Sequence, residues 1–307
     1  MSEVKEIKQS VNYGKAVGVL SEKKYEIIDG TTKSGAPCKI IRGNIVVTTN
    51  DGDMKFGFYQ QSTNGKNDGQ EDWAAKSYAG LKTAMEQQIA KSDNNGEPDV
   101  VAVTFSTRVN DFKSKKGDVI SGVNYDVKNI SRHKVSADDD MVAEGELSGM
   151  ITAIVPEIVK EEETGRLKVE LVSISYGQKA EPYTLFVGED LADDFDSTYE
   201  VGEVTKLYYT VVSEHYGGTT QQASTGFGRK AKVQSGFDRV EMQIIGGEPS
   251  FEEEQEEFFT KEELNPLLEN RKIALEKLKS EDGDANKSKG GLKDKKVADI
   301  PPSDMPF

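Results

Sequence analysis

The sequence predicts a mainly β protein: two tandem five-stranded barrels, a C-terminal helix and a disordered tail. Three observations carry this. β-Branched runs end at turn signals, one order of elements occurs twice, and the residues from Ser280 to Ser303 are rich in Gly, Lys, Asp, Ser and Pro.

In the first half, residues 14–28 alternate weakly and end at Asp29-Gly30. Residues 37–49, with Ile40, Ile41, Ile45, Val46 and Val47, stop at Asn50-Asp51-Gly52, a hairpin signal. A third strand, 54–61, follows at once. Residues 72–90 space Ala, Leu, Met and Ile by three and four, which predicts a helix with Asp72 near its start. Strands 100–109 and 119–130 complete the set, joined by a loop at 110–118. The second half repeats the order: strands 146–159 (broken at Pro156), 166–176 and 182–187, a short helix at 189–198, then strands 204–216 and 237–245 around a long loop, 217–236. Three strands, a helix and two strands is the order of the OB-fold, a small barrel that binds oligonucleotides across strands 2 and 3 and the connecting loops. The expected division is 1–135 and 144–247 for the barrels, 248–280 for an acidic segment and helix, and 281–307 for a tail with a protein-interaction tip. Thr260 with Glu263 makes a capping box and Asn265-Pro266 an equally good start for that helix, which is expected to pack on the second barrel.

Composition narrows the function. Cys38 is the only cysteine, and His133 and His215 are the only histidines. No metal, no cofactor and no enzymatic role is expected. The acidic runs 138–140 and 193–194 could hold Mg²⁺ but read as solvated surface carboxylates. There is no run of apolar residues long enough for a membrane span and no apolar leader after Met1, so a soluble, cytoplasmic chain is expected. The net charge of −15 is unevenly spread. Residues 1–135 hold 20 basic and 17 acidic residues, 136–247 hold 9 and 21, and 248–307 hold 10 and 16. Charges are screened beyond about 8 Å at physiological salt, so a distant acidic segment leaves a local basic groove effective.

Unpaired nucleic acid is held by cations along the phosphates and by aromatic faces under the bases. Two loops interleave both residue types. One holds Arg108, Phe112, Lys113, Lys115 and Lys116; the other holds Phe227, Arg229, Lys230 and Lys232. Each joins strands 4 and 5 of its barrel. A Lys-rich hairpin tip can also simply protect a sheet edge. Along 54–61 the alternation sends Met54, Phe56 and Phe58 to the core and leaves Lys55 and Tyr59 outside. By the same period Ile41, Ile45 and Val47 point inward and Arg42 and Asn44 outward. Trp73 is read as buried, and of Tyr208 and Tyr209 one faces in and one out.

The chain closes with Asp304-Met305-Pro306-Phe307 on a Gly-, Lys- and Asp-rich tether. An apolar tip bearing the terminal carboxylate suits capture by a basic pocket on another protein. With the barrels in front of it, this ending resembles that of the single-stranded DNA-binding proteins of bacteria and their phages. That resemblance implies a binder that coats single-stranded DNA and recruits replication, recombination and repair enzymes through the tip. It also implies a nucleoid-associated location, or the host cytoplasm if the chain is phage-encoded. The chain departs from the family in two ways. Lys293, Lys295 and Lys296 interrupt what is there a dense acidic run, and two barrels share one chain, which suits a monomer or dimer. The competing expectation is a structural or virion-assembly protein built from tandem barrels.

Overall fold

The computed structural model describes residues 7–63, 72–114, 116–134, 140–216 and 237–280. It is mostly β. In chain order come β1 (Asn12–Thr31), β2 (Pro37–Thr49), β3 (Gly52–Gln61), α1 (Trp73–Gln87), β4 (Val100–Lys113), β5 (Val119–Arg132), β6 (Ala143–Val159), β7 (Glu162–Ser175), β8 (Lys179–Val187), α2 (Glu189–Thr198), β9 (Val204–Tyr216), β10 (Phe237–Gly247) and α3 (Lys261–Ser280).

Each half closes a ring of five strands. β1 pairs with both β2 and β4, β2 with β3, β4 with β5, and a parallel bridge between Gly57 and Asp126 joins β3 to β5. β6 to β10 repeat this pattern, with Phe186 and Gln243 at the matching parallel bridge. The first strand of each ring serves two neighbours because a bulge bends it, between Leu20 and Glu22 in β1 and between Ile151 and Ala153 in β6. Pro156 does not end β6. It sits beside a second irregularity and the strand runs on to Val159.

The rings are joined where the sequence carries no signal. β1 pairs with β6, from Asn12–Leu147 to Ala16–Ala143, so all ten strands form one sheet. One hydrophobic core runs through both rings, from Phe56, Phe105 and Tyr125 to Leu147, Leu171 and Tyr209. The Asn12 side chain donates to the Thr107 carbonyl and accepts from the Thr107 N–H, each at 2.8 Å. The segment before β1 also crosses to the second ring. Gln178 donates to the Ile7 carbonyl at 2.7 Å and accepts from the Ile7 N–H at 3.1 Å. The β2–β3 turn is docked too. The Asp51 carbonyl accepts from Ser213 N–H at 2.8 Å, and Gly52 has φ +110° with the Ser213 carbonyl only 2.1 Å from where a Cβ would stand. A left-handed backbone without space for a side chain requires glycine there.

α1 starts one residue later than the sequence suggests, with Asp72 as its cap: its carboxylate accepts from Ala74 and Ala75 N–H at 3.0 and 3.1 Å. Leu81, Ala84 and Met85 plug the first ring. Trp73 is 69% exposed, against the expected burial, because the first turn of α1 buries none of its side chains. α3 begins with the Thr260–Glu263 capping box, Thr260 N–H donating to Glu263 at 2.9 Å. It packs Leu264 on the second ring beside Phe259 and Ile174, as expected. Its C-terminal half leaves that ring for the first, where Arg271 pairs with Asp111 at 2.7 Å.

Candidate nucleic-acid interface

Alternation along β3 buries Met54, Phe56 and Phe58 and turns Lys55, Gly57 and Tyr59 outward. The register sets Arg42 beside Tyr59, Asn44 beside Gly57 and Val46 beside Lys55. On the other side of β3, Tyr125 and Val127 of β5 point inward while Asn124, Asp126 and Lys128 point outward. Between these walls lies a groove of about 520 Å³. It gathers Lys55, Tyr59, Arg108 and Lys128 with the amides of Asn44, Asn110 and Asn124, and its far wall includes Val240 from β10 of the second ring.

The floor is low because Gly57 has no side chain. A Cβ there would meet nothing nearer than Asp126 Oδ1 at 4.0 Å. Tyr59 is 59% exposed, so one ring face is available for stacking. The Arg108 guanidinium donates from Nε to Asp126 Oδ2 at 2.8 Å, which raises its pKa further. It is a fixed cation rather than a freely moving one.

Three of the expected residues, Lys55, Tyr59 and Arg108, therefore converge. Arg42 lies on the same sheet face but pairs with Glu26 at 2.6 Å. Phe112 and Lys113 are not in a loop: β4 runs on past its expected end at 109 to Lys113, because its pairing with β5 continues from Val109–Val123 to Lys113–Val119. Phe112 is exposed on that hairpin, and Lys113 donates to the Lys279 carbonyl at the end of α3, 2.9 Å away. Lys116 is exposed in the turn. Lys115, Phe227, Arg229, Lys230 and Lys232 lie outside the described residues, as do Asp304, Met305, Pro306 and Phe307. The sequence reading missed Asn110, Asn124, Asp126, Lys128 and Val240. The period-two pattern of β5 marks three of them; Val240 becomes visible only with the tertiary fold.

The second ring treats the same face differently. Phe186 occupies the place of Gly57, with Arg166 and Arg239 over its ring at 4.9 and 5.6 Å. Both arginines are tied to acids: Arg166 to Glu241 at 2.8 Å and Glu157 at 3.3 Å, Arg239 to Glu157 at 3.0 Å and also to Glu241. Burial alone would raise the Glu157 pKa, but the Thr164 hydroxyl and the two guanidiniums outweigh it and hold the carboxyl below its usual value. Thr184 and Gly188 stand where Lys55 and Tyr59 stand in the first ring. Among the described residues there is no cluster of three or more His, Cys, Asp or Glu able to hold a metal ion, and no helix long and apolar enough to cross a membrane.

The model of the YorF family matches residues 11–281. No curated protein matches the chain. Among solved structures, the wild-type single-stranded DNA binding protein from Thermus aquaticus is similar at 10% identity and a TM-score of 0.44, covering 81% of this chain and 97% of that one. A deletion mutant of the same protein gives 12% identity and 0.41, over 80% and 98%. A replication protein A heterotrimer bound to single-stranded DNA gives 14% identity and 0.18, over 67% and 45%.

Proposed function

We propose that this chain, which belongs to the YorF family, is a non-enzymatic binder of single-stranded DNA that uses the outer groove of its first barrel. One observation carries the reading: a groove of about 520 Å³ that brings Tyr59 together with Lys55, Arg108 and Lys128 over a bare glycine floor. Cations spaced along a strand face can follow a phosphate backbone, and an exposed ring beside them can stack a base. A duplex, whose bases are already stacked, gains nothing from Tyr59. The chain divides on this reading into barrels at 1–135 and 144–247, an acidic segment and helix at 248–280, and a tail at 281–307. The tail tip, Asp304 to Phe307, recruits replication or recombination enzymes, in the cytoplasm.

Fluorescence titration with oligo-dT at several salt concentrations tests the groove. Tyr59→Ala should weaken binding by about 1–3 kcal/mol. Lys55→Ala should weaken it and make the log–log salt slope shallower by about 0.7. An unchanged affinity in both variants removes the groove as the site. No salt-dependent affinity in the wild type, with regular self-assembly instead, favours a structural protein. Deleting residues 304–307 should leave oligo-dT affinity intact and abolish binding to replication enzymes; a loss of DNA affinity would contradict the separation of roles.

A further inference from the structure

We infer that Asp126 makes the groove selective for bases that offer an amino group, so that it prefers cytosine to thymine. This deepens the proposed function and rests on it.

A carboxylate is out of place in a surface meant for phosphates, which it repels. Asp126 nevertheless lies on the floor of the groove, its side chain 28% exposed, at the parallel bridge that joins β3 to β5. Its Oδ2 accepts the Arg108 Nε–H at 2.8 Å, whereas among the described residues Oδ1 has only the distant Nη2 at 3.4 Å from the same guanidinium. Among the described residues Oδ1 is also the only atom within 4 Å of where a Cβ at 57 would stand. One oxygen thus orients the arginine and the other faces the empty floor with accepting capacity left.

A base lying over Gly57 brings its edge, not its phosphate, to that oxygen. Cytosine presents the N4 amino donor there, and aspartate accepts well from it; thymine presents O4, a second acceptor that the carboxylate repels. The matching position of the second ring carries Gln243, which both donates and accepts, paired with Phe186, whose ring stands where the first ring has a bare glycine. The selective arrangement therefore belongs to the first barrel.

Fluorescence anisotropy with labelled oligo-dC and oligo-dT of equal length, on the full chain, tests this. The wild type should bind oligo-dC about five- to tenfold more tightly than oligo-dT. Asp126→Asn, which keeps the shape but can also donate, should bring the ratio close to one. Should that variant fold poorly, an oligonucleotide of N4,N4-dimethylcytosine answers the same question on the wild type. It lacks the donor and should bind no better than oligo-dT. A wild-type preference for oligo-dT, or a preference for oligo-dC that survives both Asp126→Asn and the dimethylated base, overturns the inference while leaving the groove as the binding site. Failure of the wild type to bind either oligonucleotide overturns the groove itself.

Discussion

At the parallel bridge that closes the first barrel, Gly57 stands against Asp126; at the matching bridge of the second, Phe186 stands against Gln243. The strand order on either side is the same. In the first barrel the outer face is left open, with one arginine held by one carboxylate and a tyrosine ring exposed. In the second, two arginines cover the phenylalanine and two glutamates cover the arginines. Cations are present on both faces, so a count of lysines and arginines does not separate them. What separates them is the outward residue at the bridge: a bare glycine beside one Arg108–Asp126 pair in the first, a phenylalanine under two arginines tied to two glutamates in the second. Topology supplies the platform, and single outward residues decide whether anything can land on it.

The largest effect should come from making the first barrel resemble the second. Gly57→Phe fills the floor and should lower oligonucleotide affinity about a hundredfold, the worth of a stacked base and its neighbouring phosphate contacts. Thermal melting should hardly change, since a Cβ at 57 meets no backbone. If affinity survives the substitution, the contrast between the barrels has no bearing on binding.

Breaking the second face should act on stability instead. Glu157 is buried and paired with two arginines that are themselves part-exposed. Glu157→Ala leaves both guanidiniums half-partnered and should cost about 2–3 kcal/mol in a urea titration, toward the lower end because solvent screens the arginines. Oligonucleotide affinity should stay as it was. The same carboxylate gives a pH signature. Its folded pKa lies below the ordinary 4.5, so its contribution is complete above that value and is lost as the pH falls through the lower folded one. The wild type should lose stability in that acid range more steeply than Glu157→Ala does.

The smallest effect concerns Lys113. Its ammonium is spent on the C-terminal carbonyl of α3, where a cation also suits the helix dipole. Lys113→Ala should fray the last helical turn by about 0.3–1 kcal/mol, visible in amide exchange near Lys279, and should leave DNA affinity unchanged. A marked loss of affinity would return the β4–β5 hairpin to the binding surface.

Much of this was legible in the residues. The alternation of β3 separates Phe56 and Phe58 from Lys55 and Tyr59, and Tyr208 and Tyr209 do split, the latter fully buried. Those are local signals with a period of two. The pairing of β1 with β6 has no local signal, because it runs through backbone groups that every residue carries, along the mixed segments Asn12–Ala16 and Ala143–Leu147. The correspondence of Gly57 with Phe186 is hidden for a similar reason: the two halves share an order of elements and no residue pattern. Composition also promised more of Lys113 and Arg42 than geometry allows, since a sequence shows a charge but not the carbonyl or carboxylate that claims it. Trp73 misled because a helix's first turn can lie beyond the core its later turns cover.

The anchoring of Ile7 to Gln178 bears on how the molecule is made. A ribosome releases Ile7 long before residue 178 exists, so the strap that precedes β1 has no dock while the first barrel is emerging. Assembly must therefore finish out of chain order. The opening segment waits, unclaimed, until the β7–β8 turn arrives, and only then is the seam between the barrels sewn from both sides.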